Sequence, residues 1–386
     1  MSTEMILAGD NSITTQKPIE EKMFEKWIKY NKNQNRTPAT VRTYEKVLRI
    51  FFSWANENSV NLQSLNADIV NSFIQALKTR RNVNTGKKIS VRTLRLYVAA
   101  LRVFVKFAAK ETKENFCKDF TEDISRISLK GIDTLHARHS LSEKQAKDLL
   151  GTVRKDVADK KFIASEEKVF KKTAARKNEE SVRNAAIIAL MMFCGLRAVE
   201  ICRLELVNLE GNKLYVQGKG HASADTYVKL PSDVIKLIKQ YLLVRKACKV
   251  EGVEVISLFT SCSKRCRGQQ LQPQTVNNVV KRYLIDAGII DGTFSNKKVE
   301  VVIGGKKKTI RRRRNDISGD KLDFYKTSSH SLRHFCACQQ IRKKVPIEFV
   351  RQNLRHSSLT VTTVYVADVD KEKNNGLEQI TLDFFS

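Results

Sequence analysis

The stretch His330-Ser331-Leu332-Arg333-His334 is followed, 23 residues after Arg333, by His356 within Leu354-Arg355-His356-Ser357-Ser358, and nine residues later by Tyr365. Upstream, the apolar run Val182 to Cys194 stops at Gly195 in Gly195-Leu196-Arg197-Ala198-Val199-Glu200, and 22 residues beyond Arg197 Lys219 stands between Gly218 and Gly220. An apolar helix ended by glycine is a C-terminal stop. The run Leu196 to Leu206 carries Val199, Cys202 and Leu206 on a helical face. Lys213 to Val216 and Thr226 to Leu230 alternate in strand fashion and predict a hairpin. Helices are expected from Ser232 to Lys246 and from Gln274 to Ala287.

Composition narrows the partners. Seventy Lys+Arg against 41 Asp+Glu give the 386 residues a formal charge of +29. That excess is costly self-repulsion unless a polyanion relieves it, so nucleic acid or an anionic membrane surface is expected, and a small acidic substrate would not need it. The longest apolar stretch, Ala185 to Leu196, is 12 residues, against the 20 or so that span a bilayer. Met1 to Asp10 lacks the basic-then-apolar order of a secretory signal. An intracellular, cytoplasmic or nucleoid-associated place follows as an expectation. There disulfides are disfavoured, and neither Cys262/Cys266 nor Cys336/Cys338 has the two-residue spacer of a zinc site.

The N-terminal part, 18–114, is helical throughout. Val41, Tyr44, Leu48, Phe51 and Phe52 trace one face of a helix and leave Arg42, Lys46 and Arg49 on the others. Ile69, Phe73 and Leu77, then Leu94, Tyr97, Leu101, Phe104 and Phe107, repeat the pattern. With Ile19 to Tyr30 they make a bundle of about four helices whose basic faces suit phosphates. Residues 115–139 read as a linker. The second domain, 140–375, starts with a capping-box spacing, Ser142 to Gln145. Residues 153–180 fit either a helix or an exposed insertion. From Lys297 to Arg314, nine Lys/Arg stand against one Glu, a net charge of +8 around Gly304-Gly305. The run Lys306, Lys307, Lys308, Arg311, Arg312, Arg313 and Arg314 reads as a solvated surface, a localisation signal, or a ribbon along DNA.

In order and spacing, this Arg, Lys, His-x-x-Arg, His and Tyr set resembles the tyrosine recombinases, the phage-type integrase and Xer-like family. The resemblance runs from about residue 20 to the C-terminus. It implies a mainly α fold with a small β-hairpin or sheet, arranged as a two-domain DNA clamp of helical core-binding domain and catalytic domain. It implies catalytic roles for Arg197, Lys219, His330, Arg333, His356 and the nucleophile Tyr365, and a supporting role for Glu200. It further implies duplex DNA sites as substrate and strand exchange through a four-way junction. A monomer in solution would become a homotetramer on DNA, with an accessory DNA-bending protein as a possible partner. Residues 376–386, ending Leu-Asp-Phe-Phe, would dock on a neighbouring protomer or pack on their own domain.

The chemistry asks for these residue types independently. Attack on a phosphodiester builds charge on non-bridging oxygens, which planar, permanently cationic guanidinium groups grip two at a time. Arg197 and Arg333 fit, although Arg197 also stands one helical turn from Glu200 and can simply pair with it. A phenol attacking phosphate conserves bond energy in a phosphotyrosyl ester, so no nucleotide cofactor is needed. Tyr325 precedes the His-x-x-Arg rather than following it, and Tyr97, Tyr241 and Tyr283 lie on helical stripes. A lysine on a hairpin can protonate the leaving oxygen, with Lys213 and Lys229 as rivals of Lys219 in the same hairpin. His330 and His356 titrate in the range that acid–base work or phosphate donation needs. His334 is expected to face the helix interior, and His221 carries no role. No carboxylate cluster suggests a metal, and no cofactor is expected. A catalytically silent DNA-binding protein should have lost one of these types, and a type IB topoisomerase-like relaxing enzyme shares the chemistry but fits the spacing and the helical module less well.

Overall fold

The computed structural model describes residues 18–33, 36–60, 66–80, 88–111, 140–166, 170–218, 223–245, 249–250, 253–291, 293–303, 306–316 and 327–374. It divides into two compact units, Met1–Thr134 and Leu135–Ser386. The expected linker, Lys219, His221 and residues 376–386 lie outside the described residues.

The first unit is a bundle of α1 (Pro18–Asn33), α2 (Pro38–Glu57), α3 (Ala67–Thr79) and α4 (Val91–Glu111). Starts are set by local chemistry. The Thr37 hydroxyl accepts from the Thr40 amide at 3.2 Å with Pro38 next in the helix, and Asn66 Oδ1 accepts from the Ile69 amide at 3.0 Å. The buried faces meet in an aromatic core. Phe51 and Phe73 pack edge to face at 5.1 Å, and Trp27 meets Phe104 at 6.1 Å. Such pairs add about 0.5–1.5 kcal/mol each beyond area burial. Arg42 and Lys46 point outward, whereas Arg49 is partly committed to Glu45 at 2.9 Å and to the face of Phe24 at 5.2 Å.

The second unit opens on the capping box expected from sequence, Gln145 N donating to Ser142 Oγ at 3.2 Å and Ser142 N to Gln145 Oε1 at 2.9 Å. It starts α5 (Glu143–Glu166). After residues 167–169 and a bend at Phe170, α6 (Lys171–Phe193) follows, so the charged stretch 153–180 is helical over 153–166 and 171–180. Charge obscured the reading because only one stripe of α5 is apolar and buried: Ala146, Leu149 and Val153. From Ser181 to Met192, by contrast, every residue of α6 is buried, which makes it the central helix of the unit. The expected helical run from Leu196 is shorter, α7 (Ala198–Arg203), ending where Leu204 turns extended.

The predicted hairpin gains a third strand. β1 (Leu209–Glu210), β2 (Lys213–Val216) and β3 (Thr226–Lys229) form an antiparallel sheet in that order, Lys213 opposite Lys229 and Tyr215 opposite Tyr227. Then come α8 (Ser232–Val244), a short pair β4 (Lys249–Val250) and β5 (Val253–Glu254), and α9 (Pro273–Asp286). The basic segment is a two-stranded ribbon, β6 (Thr293–Ile303) and β7 (Lys306–Asp316). α10 (Ser329–Arg342), α11 (Ile347–Asn353) and α12 (Leu359–Asn374) close the unit, α10 packing on both α6 and α12.

One glycine is required by geometry. Gly195 has φ +63°, and a Cβ there would lie 2.7 Å from Leu354 Cδ2, so the α6 terminus and the turn after α11 meet only without a side chain. Gly195→Ala is expected to lower stability by about 1–3 kcal/mol. Thermal unfolding of the two proteins checks this, and an unchanged midpoint would show that the contact yields without cost.

Candidate active site

The Gly195 turn delivers Arg197 to the N-cap of α7, where its amide donates to Glu200 Oε2 at 2.8 Å. Its guanidinium turns back onto the same carboxylate, Nη1 to Glu200 Oε1 at 2.6 Å. The plain structural pairing is therefore real. It does not consume the residue, because about a quarter of the Arg197 side chain stays exposed while Glu200 is buried.

Two further arginines reach Glu200. Arg355 Nη2 donates to Oε2 at 2.8 Å, and Arg333 Nη1 lies 3.9 Å from the same oxygen. Arg333 also donates to the backbone carbonyls of Gly195 and Leu354, so its position on α10 is locked to the two turns that carry the other motif residues. Burial works against the Glu200 charge, but Arg355, Arg333 and the hydrogen bonds around it outweigh burial and hold the carboxyl below its usual range. Burial, followed by the neighbouring Arg197, pulls Arg333 down to about 9, which leaves it cationic at neutral pH.

Tyr365 lies beside this cluster on α12, only 3% exposed, in a small core with Val350, Leu354 and Val369. Two histidines hold its ring. His356 stacks parallel to it with centroids 5.9 Å apart, and His334 meets it edge to face at 4.8 Å. His356 is oriented by Thr362, with Nδ1 to Oγ1 at 3.0 Å. His334, expected to face the interior, does so, bridging α10 to α12 through Asp368 at 3.1 Å. His330 is exposed one turn before Arg333.

A cleft of about 820 Å³ opens over the cluster, lined among others by Arg197, Gly218, Lys229, Arg355 and His356. Arg197, Glu200, Arg333, His356 and Tyr365 are thus brought together. Lys219 follows directly on a cleft residue, Gly218, but its own place is outside the described residues. Of its rivals, Lys229 lines the cleft, while Lys213 lies over the Tyr227 ring at 5.0 Å. Arg42, Lys46 and Arg49 belong to the first unit, and Lys306 to Arg314 to the ribbon. Sequence reasoning missed Arg355, Thr362 and Asp368. The position of Arg355 inside the His356 motif was the only signal it offered. Among the described residues no group of three or more His, Cys, Asp or Glu could hold a metal ion, and no helix is long and apolar enough to cross a membrane.

Because its folded pKa is depressed, Glu200 contributes stability that is complete above the ordinary carboxylate range and is lost as pH falls through the lowered value. Glu200→Gln removes this dependence and leaves clustered arginines uncompensated. It should cost about 3–5 kcal/mol at pH 7 and flatten the acid limb of the stability profile. Denaturant unfolding between pH 3 and 7 measures both, and an unaltered acid limb would deny Glu200 its central place.

Comparison with known proteins places the chain. The phage integrase N-terminal SAM-like domain matches residues 24–112, and the phage integrase family model matches residues 161–299, together more than half of the chain. The tyrosine recombinase XerA of Pyrococcus furiosus is 22% identical over 369 residues, covering 95% of this chain and 96% of that protein. The tyrosine recombinase XerD of Haemophilus influenzae is 22% identical over 357 residues, covering 92% and 94%. In fold, the chain is similar to the XerH site-specific recombinase in a post-cleavage complex with palindromic difH substrate (TM-score 0.59, 19% identity, 92% of this chain and 83% of that one). It is also similar to a lambda integrase dimer bound to a COC′ core site (TM-score 0.53, 12% identity, 88% and 96%). The mainly helical architecture with a small sheet is the one these recombinases share, and the chain belongs to the tyrosine recombinase family.

Proposed function

We propose that this protein is a site-specific DNA recombinase that cleaves and rejoins duplex DNA through a 3′-phosphotyrosyl intermediate. The convergence of Arg197 and Arg333 on Glu200, with Tyr365 and His356 stacked alongside, carries the reading. Arg197 and Arg333 hold the non-bridging oxygens of the scissile phosphate, and Glu200 fixes their geometry. The Tyr365 hydroxyl attacks phosphorus. The new Oη–P bond forms as the P–O5′ bond breaks, a site histidine, His330 or His356, takes the phenolic proton, and Lys219 protonates the departing 5′ oxygen. Attack by that 5′ hydroxyl, or by one from a second duplex, reverses the step and releases Tyr365.

Tyr365 does not line the cleft and is buried, so a bound phosphate meets it only after α12 shifts. A nucleophile sheltered until DNA is engaged limits stray cleavage. In this reading the helical unit and the catalytic unit clamp the duplex, with Arg42, Lys46 and Arg49 on its phosphates. Four protomers synapse two sites, exchange strands through a four-way junction, and use residues 376–386 to link neighbours. The working place is the DNA inside the cell.

The ribbon adds an outlying contact. Eleven residues per strand span about 35 Å, near one turn of duplex. Its register sets Lys297 opposite Arg312 and Lys298 opposite Arg311, like charges that weaken an isolated ladder and that a polyanion relieves.

Two measurements test the reading. Nicked duplexes carrying the site that the protein selects from a random pool should trap a covalent protein–DNA adduct on denaturing gels, and Tyr365→Phe should abolish it. Binding by both proteins without any adduct would favour a non-catalytic DNA-binding role. Replacing Arg311, Arg312, Arg313 and Arg314 by Ala should lower the slope of log K against log salt by about 2–4. An unchanged slope would remove the ribbon from the interface.

A further inference from the structure

Arg355 lies inside the His356 motif but outside the six positions given a catalytic role. It is one of three non-glycine residues with positive φ among those described, at +53°, a backbone state that is strained for a long side chain. Its side chain is 4% exposed, although it lines the cleft. Nη1 donates to the Asn353 carbonyl at 2.7 Å, and Nη2 donates to Glu200 Oε2 at 2.8 Å and to the Gly195 carbonyl at 3.3 Å. Its Nε is buried with no partner. A strained backbone, a buried cation and an unsatisfied donor at one residue are a large combined cost for a turn that a glycine would make freely.

Charge gives that cost a purpose. Within the cluster around Glu200, Arg197 and Arg333 without Arg355 leave one net positive charge. With it, two remain. A phosphodiester monoanion attacked by a phenolate passes through a species with two negative charges on phosphorus-bound oxygens, so the second positive charge matches what develops in the transition state rather than in the bound substrate. Arg355 also occupies Glu200 Oε2 and leaves Oε1 to Arg197, which sets the direction of the Arg197 guanidinium toward the cleft.

We propose that Arg355 is a positioning residue of the scissile-phosphate site, supplying the second unit of net positive charge in the cluster around Glu200 and dividing Glu200 with Arg197. The proposal rests on the recombinase reading above. Arg355→Gly tests it, because glycine adopts the local backbone without strain and removes the guanidinium with its stem. The substrate is the selected duplex, nicked, with the cleavage position mapped using the unsubstituted chain. It is made in two forms, one with an ordinary scissile phosphodiester and one with an uncharged methylphosphonate there. Arg355→Gly should remain folded at the assay temperature and bind DNA within about threefold of the parent. It should form adduct about a hundredfold more slowly on the phosphodiester and less than about tenfold more slowly on the methylphosphonate. Equal losses on both substrates would make Arg355 a structural tie, and no loss on either would remove it from the site; both overturn the proposal. Absence of adduct with the unsubstituted chain on either substrate would overturn the recombinase reading, and this proposal with it. If the glycine variant loses its fold, Arg355→Asn, tolerant of the same backbone region, is read by the same contrast.

Discussion

The buried carboxylate of Glu200 is the joint on which the catalytic unit turns. A charge that deep is tolerated only where cations and donors replace water, and here they come from three separate stretches: Arg197 beside it in the chain, Arg333 from α10 and Arg355 from the turn after α11. Gly195 is the steric counterpart, since its carbonyl receives both Arg333 and Arg355 and its missing Cβ lets Leu354 approach. The same interactions that close the fold therefore set the charge of the cleft. Stability and chemistry are coupled at one residue, and a change to Glu200 reaches both.

Much of this was legible in the sequence because apolar periodicity and motif spacing are local. The helical stripes of the bundle, the Ser142 capping box, the glycine stop after α6 and the β2–β3 hairpin were all marked by short-range patterns. Residues 153–180 were not, since a helix with one narrow buried stripe and many lysines has the composition of an insertion. At the site, the family resemblance carried by the motifs pointed to Arg197, Glu200, Arg333, His356 and Tyr365, which the fold then gathers. Arg355 escaped because nothing in a sequence reports a positive φ or a reach across 155 residues to Glu200. Asp368 escaped for a similar reason. Its meaning depends on α12 crossing α10 so that it meets His334.

The net charge of +29 finds its place in the same account. Arg42, Lys46 and Arg49 on the bundle are exposed, and nine Lys/Arg against one Glu fall between Lys297 and Arg314; in the proposed function these steer and hold a polyanion. The cluster around Glu200 adds two net positive charges beside the cleft, where the proposed reaction develops negative charge. Tyr365 is buried between His334 and His356, and in the proposed function this shelters the nucleophile until DNA is engaged.

The central claim is that Tyr365 becomes joined to a DNA 3′ end. It is tested most directly by digesting the trapped adduct with protease and nuclease and sequencing the linked peptide by mass spectrometry. The account predicts a nucleotide 3′-phosphate on Tyr365 and a free 5′ hydroxyl on the other side of the break. A nucleotide on any other residue, or a 5′-phosphate linkage, would contradict it.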